Sequence, residues 1–253
     1  MSAARADRAD LAPIRLGDVM AAEVTKLRTL PAAWIALGSA TVANTALGIL
    51  ARSDAVRVAA HGDAVPIGRL GTLMLAPVYV FIAITVFATG SEYRGGQLRV
   101  SLSAVPRRHR LFLGKLAVGT AAAVLAAIPA VLPGYLAQHA SATAASGRAG
   151  ELAALLVIYP LLGLVGFGFA ILARTVVAPL AVLFIVPVVL SPPLRGAVPS
   201  VVRFLPHEAA LSLLGMPASP DTTLDRPVGL LVLAAWATLS VLTAWAVFTR
   251  RDN

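Results

Sequence analysis

The sequence predicts an all-α polytopic membrane protein, with six membrane-spanning helices preceded by an amphipathic surface helix. Three observations predict it. The 253 residues are 58% hydrophobic and only 13% charged, whereas a soluble domain of this size carries about a quarter charged residues. Six windows, at 31–50, 70–91, 116–136, 152–173, 175–194 and 228–249, contain no charged side chain. Each is about the 20 residues that a helix needs to cross a hydrocarbon core of roughly 30 Å. No segment alternates apolar and polar residues as a barrel strand does, so the spans must satisfy their backbone internally as helices.

The chain reads as one transmembrane domain over 1–253. No apolar segment precedes the charged first thirty residues, so the first span is expected to direct insertion itself. Arg174 alone separates the fourth and fifth spans, which predicts a tight helical hairpin. Pro77, Pro129, Pro160, Pro179 and Pro187 fall inside spans, where neighbouring helices can satisfy the freed carbonyls. Segment 138–150 is rich in Ala, Ser and Gly and reads as a flexible loop. Segment 198–215 is mostly apolar but interrupted by Pro199, Pro206, His207 and Glu208. It reads either as a short re-entrant helix or as an ordered loop packed on the span ends.

Charge sets orientation. Of 21 Lys and Arg residues, twice as many lie in the segments on the side of the N-terminus as in the opposite ones. The positive-inside rule then places both termini in the cytoplasm, and the expected location is the cytoplasmic (plasma) membrane. Trp34 and Trp245 fall near the cytoplasmic interface. The net charge of +9 is distributed in short runs between spans, which suits anionic headgroups and argues against nucleic acid. With no cysteine, thiolate metal sites and Cys nucleophiles are excluded.

Two cytoplasmic segments stand out. In 16–30, Leu16, Val19, Met20, Val24, Leu27 and Leu30 recur at helical spacing and form an apolar stripe, with Asp18, Thr25, Lys26 and Arg28 off it. Glu23 falls within that stripe. Either it points at protein and pairs with an Arg of the next cytoplasmic loop, or the helix floats shallowly and Glu23 snorkels to water. The second segment, 91–115, carries Glu92, Tyr93 and Arg94 where the second span ends, then Gly95 and Gly96 for a turn, a short helix closed by Pro106, and Arg107, Arg108 and Arg110. From physics alone it is equally a topogenic basic loop.

At these segments the chain resembles the exporter-type ABC permeases, the ABC type 2 superfamily. Glu23, Lys26 and Arg28 match that family's E-x-x-K-x-R surface helix. Glu92, Tyr93, Arg94, Gly96, Arg99, Pro106, Arg107, Arg108 and Lys115 match its loop between spans two and three. Six spans, the short fourth-to-fifth connection and the apolar segment before the last span also agree. The abundance of Ala and Arg resembles the usage of high-GC bacteria such as actinobacteria. The resemblance implies a coupling helix within 92–105 that docks on an ATP-binding subunit. It implies pairing with a second permease copy or a related permease, with ATP and Mg bound by the partner. The Arg107–Arg110 cluster would contact either that partner or lipid headgroups.

What is missing narrows the reading. No G-x-x-x-x-G-K-[ST] occurs, so the chain has no P-loop of its own. His207-Glu208 begins an H-E-x-x-H pattern, but Leu211 stands where the second His would be, so no zinc helix is expected. No Asp, Glu, Lys or Arg sits in the middle of any span, which argues against ion coupling. No catalytic residue, metal ligand or bound cofactor is expected. Asn44 is the most polar side chain deep in a span and, with Thr41, either lines a substrate path or ties neighbouring helices together. The expected function is ATP-driven export of a hydrophobic or amphiphilic cargo. The rivals are a non-transporting scaffold or immunity protein and, further off, an intramembrane enzyme.

Overall fold

The computed structural model describes residues 14–53, 55–60, 63–94, 107–140 and 148–250. The surface helix α1 covers Leu16–Thr29 and leads through Leu30 into α2, Pro31–Ser53. A two-stranded antiparallel hairpin follows, β1 (Arg57–Ala60) and β2 (Asp63–Pro66), with Val58 opposite Val65. Two helices then run nearly end to end, α3 (Gly71–Met74) and α4 (Pro77–Gly90). The long helices α5 (Arg108–His139) and α6 (Arg148–Ala173) come next. Four shorter ones follow: α7 (Val177–Ile185), α8 (Ser191–Ala197), α9 (Pro199–Val202) and α10 (Pro206–Leu214). The last is α11, Arg226–Arg250.

Among the described residues, six helical stretches are long and apolar enough to cross a membrane: Pro31–Ser53, Gly71–Tyr93, Arg108–His139, Ala149–Ala173, Val177–Ala197 and Arg226–Arg250. The chain is therefore an all-α, multi-pass membrane protein. The second and fourth spans form its centre, being 56% and 61% buried, while the fifth is only 17% buried and presents most of its surface outward. Phe81 of α4 meets Tyr159 of α6 edge-on at 5.0 Å between ring centroids, both fully buried. The Thr85 hydroxyl donates to the Gly163 carbonyl at 2.7 Å. Between α6 and α11 contact is closer still: a Cβ on Gly168 would stand 2.7 Å from the Ser240 carbonyl. Without a hydrophobic force between helices in lipid, such small-residue contacts and interhelical hydrogen bonds do the holding.

Several boundaries differ from the sequence expectation. The third span starts at Arg108 rather than at 116, so Lys115 lies two turns inside the helix. The connection between the first two spans carries the β-hairpin, where the sequence predicts no strand. Arg174 turns the fourth span into the fifth with φ of 53°, a left-handed conformation that costs a non-glycine residue roughly 1–2 kcal/mol. The fifth span passes through a π-turn at Val186–Leu190 that contains Pro187. Proline has no N–H for the ladder and widens it there. Segment 198–215 is helical: α10 is buried on nearly every side, packs on α11 and α6, and stops at Gly215 with φ of 79°. Its nine residues are too short to span.

Candidate functional site

Glu23, Lys26, Glu92 and Lys115 meet at the end of the bundle that carries α1. Lys115 Nζ donates to Glu23 Oε1 at 2.6 Å and to Glu92 Oε1 at 2.5 Å. Lys26 Nζ donates to Glu23 Oε2 at 2.6 Å and also to Glu92 Oε1. Two carboxylates and two ammoniums alternate around a closed, neutral ring. Lys115 and Glu92 are 3% and 5% exposed at their side chains, so the ring is anchored in the protein and reaches solvent through Lys26, at 26%.

Three segments supply the ring, and local geometry explains how they meet. Val19, Glu23 and Lys26 lie four and three residues apart, on the one face of α1 that turns toward α5. Val19 is buried in a small core with Leu111 and Phe112 of α5, Phe167 and Ile171 of α6, and Ala244 and Phe248 of α11. Gly114 makes that approach possible: a Cβ there would sit 2.7 Å from Val19 Cγ1. Glu92 enters from a single 3-10 turn, Ser91–Tyr93, that continues α4, and Tyr93 packs on the same small core. Beside that face the apolar stripe of α1 is only partly covered: Met20 and Leu27 are half-buried, while Leu16 and Val24 are exposed, as suits a helix lying on a membrane.

The charges are mutually stabilising. Burial pushes the Glu23 carboxyl up, but Lys115 and Lys26 outweigh it and hold it below the usual carboxylate value. Burial pushes Lys26 down, and Glu92 and Glu23 more than reverse this, so its ammonium persists above the usual lysine range. A buried ion pair contributes little net stability against a well-packed apolar substitute, yet breaking one costs several kcal/mol. The ring therefore fixes the relative position of α1, the end of the second span and the start of the third.

The partner of Glu23 is a lysine inside the third span, not an arginine of the loop as expected. Arg94 is exposed just beyond the ring, Arg107 is exposed, and Arg108 is half-buried. Gly96, Arg99 and the short helix expected before Pro106 lie outside the described residues. Asn44 donates to the Ala130 carbonyl at 2.9 Å and hydrogen-bonds the Tyr159 hydroxyl. Thr41 donates to the Pro129 carbonyl at 3.2 Å. Both tie α2 to its neighbours, and the cavity beside Asn44, at ≈ 30 Å³, holds little more than a water.

A second buried polar cluster sits at the opposite end, and the sequence reading missed it. Glu208 Oε1 accepts from Ser191 at 2.8 Å and from Arg195 Nη2 at 2.7 Å, and Oε2 accepts from Thr222 at 3.4 Å. The neighbouring His207 shares a 2.6 Å hydrogen bond between Nδ1 and the Tyr79 hydroxyl. Burial, with a smaller contribution from Arg195 set against Glu208, lowers the His207 pKa to about 4. The only sequence signal was an ionic residue in an otherwise apolar segment. Among the described residues no group of three or more His, Cys, Asp or Glu is placed to hold a metal.

No protein-family model matches the chain, and no curated protein matches it.

Proposed function

We propose that this chain is the membrane-spanning permease subunit of an ATP-driven exporter in the cytoplasmic membrane, with both termini cytoplasmic. The observation that carries the reading is the ring of Glu23, Lys26, Glu92 and Lys115, which joins the surface helix to both flanks of the 92–115 loop. These are four of the positions that carry the ABC permease resemblance, and here they have one physical job. A loop that transmits force from an ATPase needs a rigid footing, so that displacement of the loop displaces the spans. The ring and the small core beneath it supply that footing. Glu92 is turned inward and fixes the end of the second span, which leaves the exposed Arg94 and Arg107 for the partner. ATP and Mg would belong to that partner, since the sequence contains no P-loop. Two copies, or this chain with a related one, would enclose the cargo path.

An amphiphilic cargo suits the apolar walls. A cavity of ≈ 920 Å³ opens between the second and fifth spans, lined by apolar side chains together with Thr72 and Tyr79. The test is ATP-dependent accumulation of a fluorescent amphiphile in inverted membrane vesicles containing this chain and an ATP-binding subunit. Accumulation that needs both chains supports transport. Accumulation that is unchanged without this chain rejects it and favours a scaffold or immunity protein.

A further inference from the structure

We propose that a groove between α1, α2 and α5 binds an anionic phospholipid of the leaflet on which α1 lies, with one acyl chain in the groove and the phosphate on Arg28. The groove has a volume of ≈ 510 Å³ and is apolar except at one point. Met20, Val24, Leu27 and Arg28 of α1 line it together, at the spacing that places four residues on one helix face. Their opposite wall is α5, where Ala117, Ala121 and Ala122 bring methyl groups in place of larger side chains and leave the space open. From Ala117 to Pro129 the α5 wall runs about 18 Å at the α-helical rise, just over half of a roughly 30 Å hydrocarbon core. That is the reach of one acyl chain from the interface toward the midplane.

The charge at the mouth selects the occupant. Among the described residues Arg28 is the only charged one lining the groove, and it is exposed. Among the described residues its guanidinium has no hydrogen-bond or ion-pair partner, whereas Lys26, two positions earlier, is committed to Glu23 and Glu92. The Arg28 backbone carbonyl is capped by the Trp34 indole N–H at 3.0 Å, which removes one competing acceptor from the end of α1. Trp34 itself is 58% exposed beside the groove, the position of an aromatic anchor at headgroup depth. A free cation above an apolar slot of one-leaflet length is complementary to a phosphodiester bearing an acyl chain. The inference needs only the membrane setting and stands apart from the transport reading.

The test is native mass spectrometry of delipidated protein titrated with dioleoylphosphatidylglycerol or dioleoylphosphatidylcholine. The variants are Arg28→Gln, the groove-filling Ala121→Phe, and Arg52→Gln at the far end of α2, each checked for an unchanged melting profile. One phosphatidylglycerol should bind several-fold tighter than phosphatidylcholine. Arg28→Gln should weaken it about fivefold, the effect of one basic residue at a membrane surface. Ala121→Phe should weaken both lipids, and Arg52→Gln neither. Equal affinity for the two lipids, an unchanged Arg28→Gln, or an equal loss in Arg52→Gln would overturn the headgroup assignment. Undiminished binding to Ala121→Phe would overturn the groove, as would a dimer that Ala121→Phe dissociates and that binds no lipid.

Discussion

Replacing Lys115 with methionine removes one ammonium from the ring and leaves Glu23 and Glu92 facing each other, with only Lys26 between them. Both carboxylates lie within hydrogen-bond reach of the same Lys115 nitrogen, at 2.6 and 2.5 Å, so they are about 5 Å apart or closer. At an effective dielectric of about 20, two like charges at about 5 Å repel by about 3 kcal/mol. This agrees with the 3–5 kcal/mol typical for removing one partner of a buried pair. One carboxyl would take up a proton to relieve the repulsion. In dodecylmaltoside, at about 2–4 °C per kcal/mol for a chain of this size, the thermal midpoint of Lys115→Met should fall by roughly 6–20 °C. Lys115→Met with Glu92→Gln should recover most of that loss, because it leaves the neutral Glu23–Lys26 pair of adjacent turns. The decisive quantity is the coupling energy of the double-mutant cycle. Purely additive effects, or a Lys115→Met midpoint within about 2 °C of the parent, would refute the ring as a coupled unit.

Two other consequences concern packing and pH. Gly114→Leu puts side-chain atoms where Val19 now packs, so α1 should lift from α5, and proteolysis between α1 and the first span should accelerate several-fold while the spans stay intact. His207 is neutral in the fold because its pKa lies near 4 against an ordinary 6.5. The unfolded chain therefore binds the extra proton first. The corresponding stability is fully present above about pH 6.5 and is lost as pH falls toward 4, by at most on the order of 3 kcal/mol. A His207→Gln variant should lack that acid-side slope in a pH series of thermal midpoints, and an identical slope would place the titration elsewhere.

The spans were legible because lipid admits no unpaired charge, so twenty-residue gaps between charged residues mark them directly. Glu23 was legible for the same reason, as a carboxylate in an apolar stripe. Its partner was not, because sequence spacing does not show how far a helix extends beyond the membrane. The α5 helix begins at Arg108, and those additional turns carry Lys115 into protein contact rather than into a loop. Arginines suggested themselves by number, but the ring takes lysines, whose compact ammoniums can each bridge two carboxylates. The hairpin at 57–66 depends on backbone pairing of short strands with no strong alternation. The site around Glu208 depends on residues 13 and 17 positions away, Arg195 and Ser191. In α10 nearly every side is buried, so no periodicity marked a face.

The central claim, that the ring holds a loop on which an ATPase docks, is tested most directly by co-elution of ATPase activity with this chain in detergent. The chain is co-expressed with candidate ATP-binding subunits. Arg94→Ala serves as the informative variant, because Arg94 is exposed and outside the ring while Glu92 is part of the fold's own charge balance. The account predicts a stable complex with one candidate, weakened by Arg94→Ala without a change in the melting profile of the permease, and unaffected by Arg52→Gln on the opposite side. Well-folded protein that captures no ATP-binding subunit, or a complex indifferent to Arg94→Ala and to Lys115→Met alike, would contradict it.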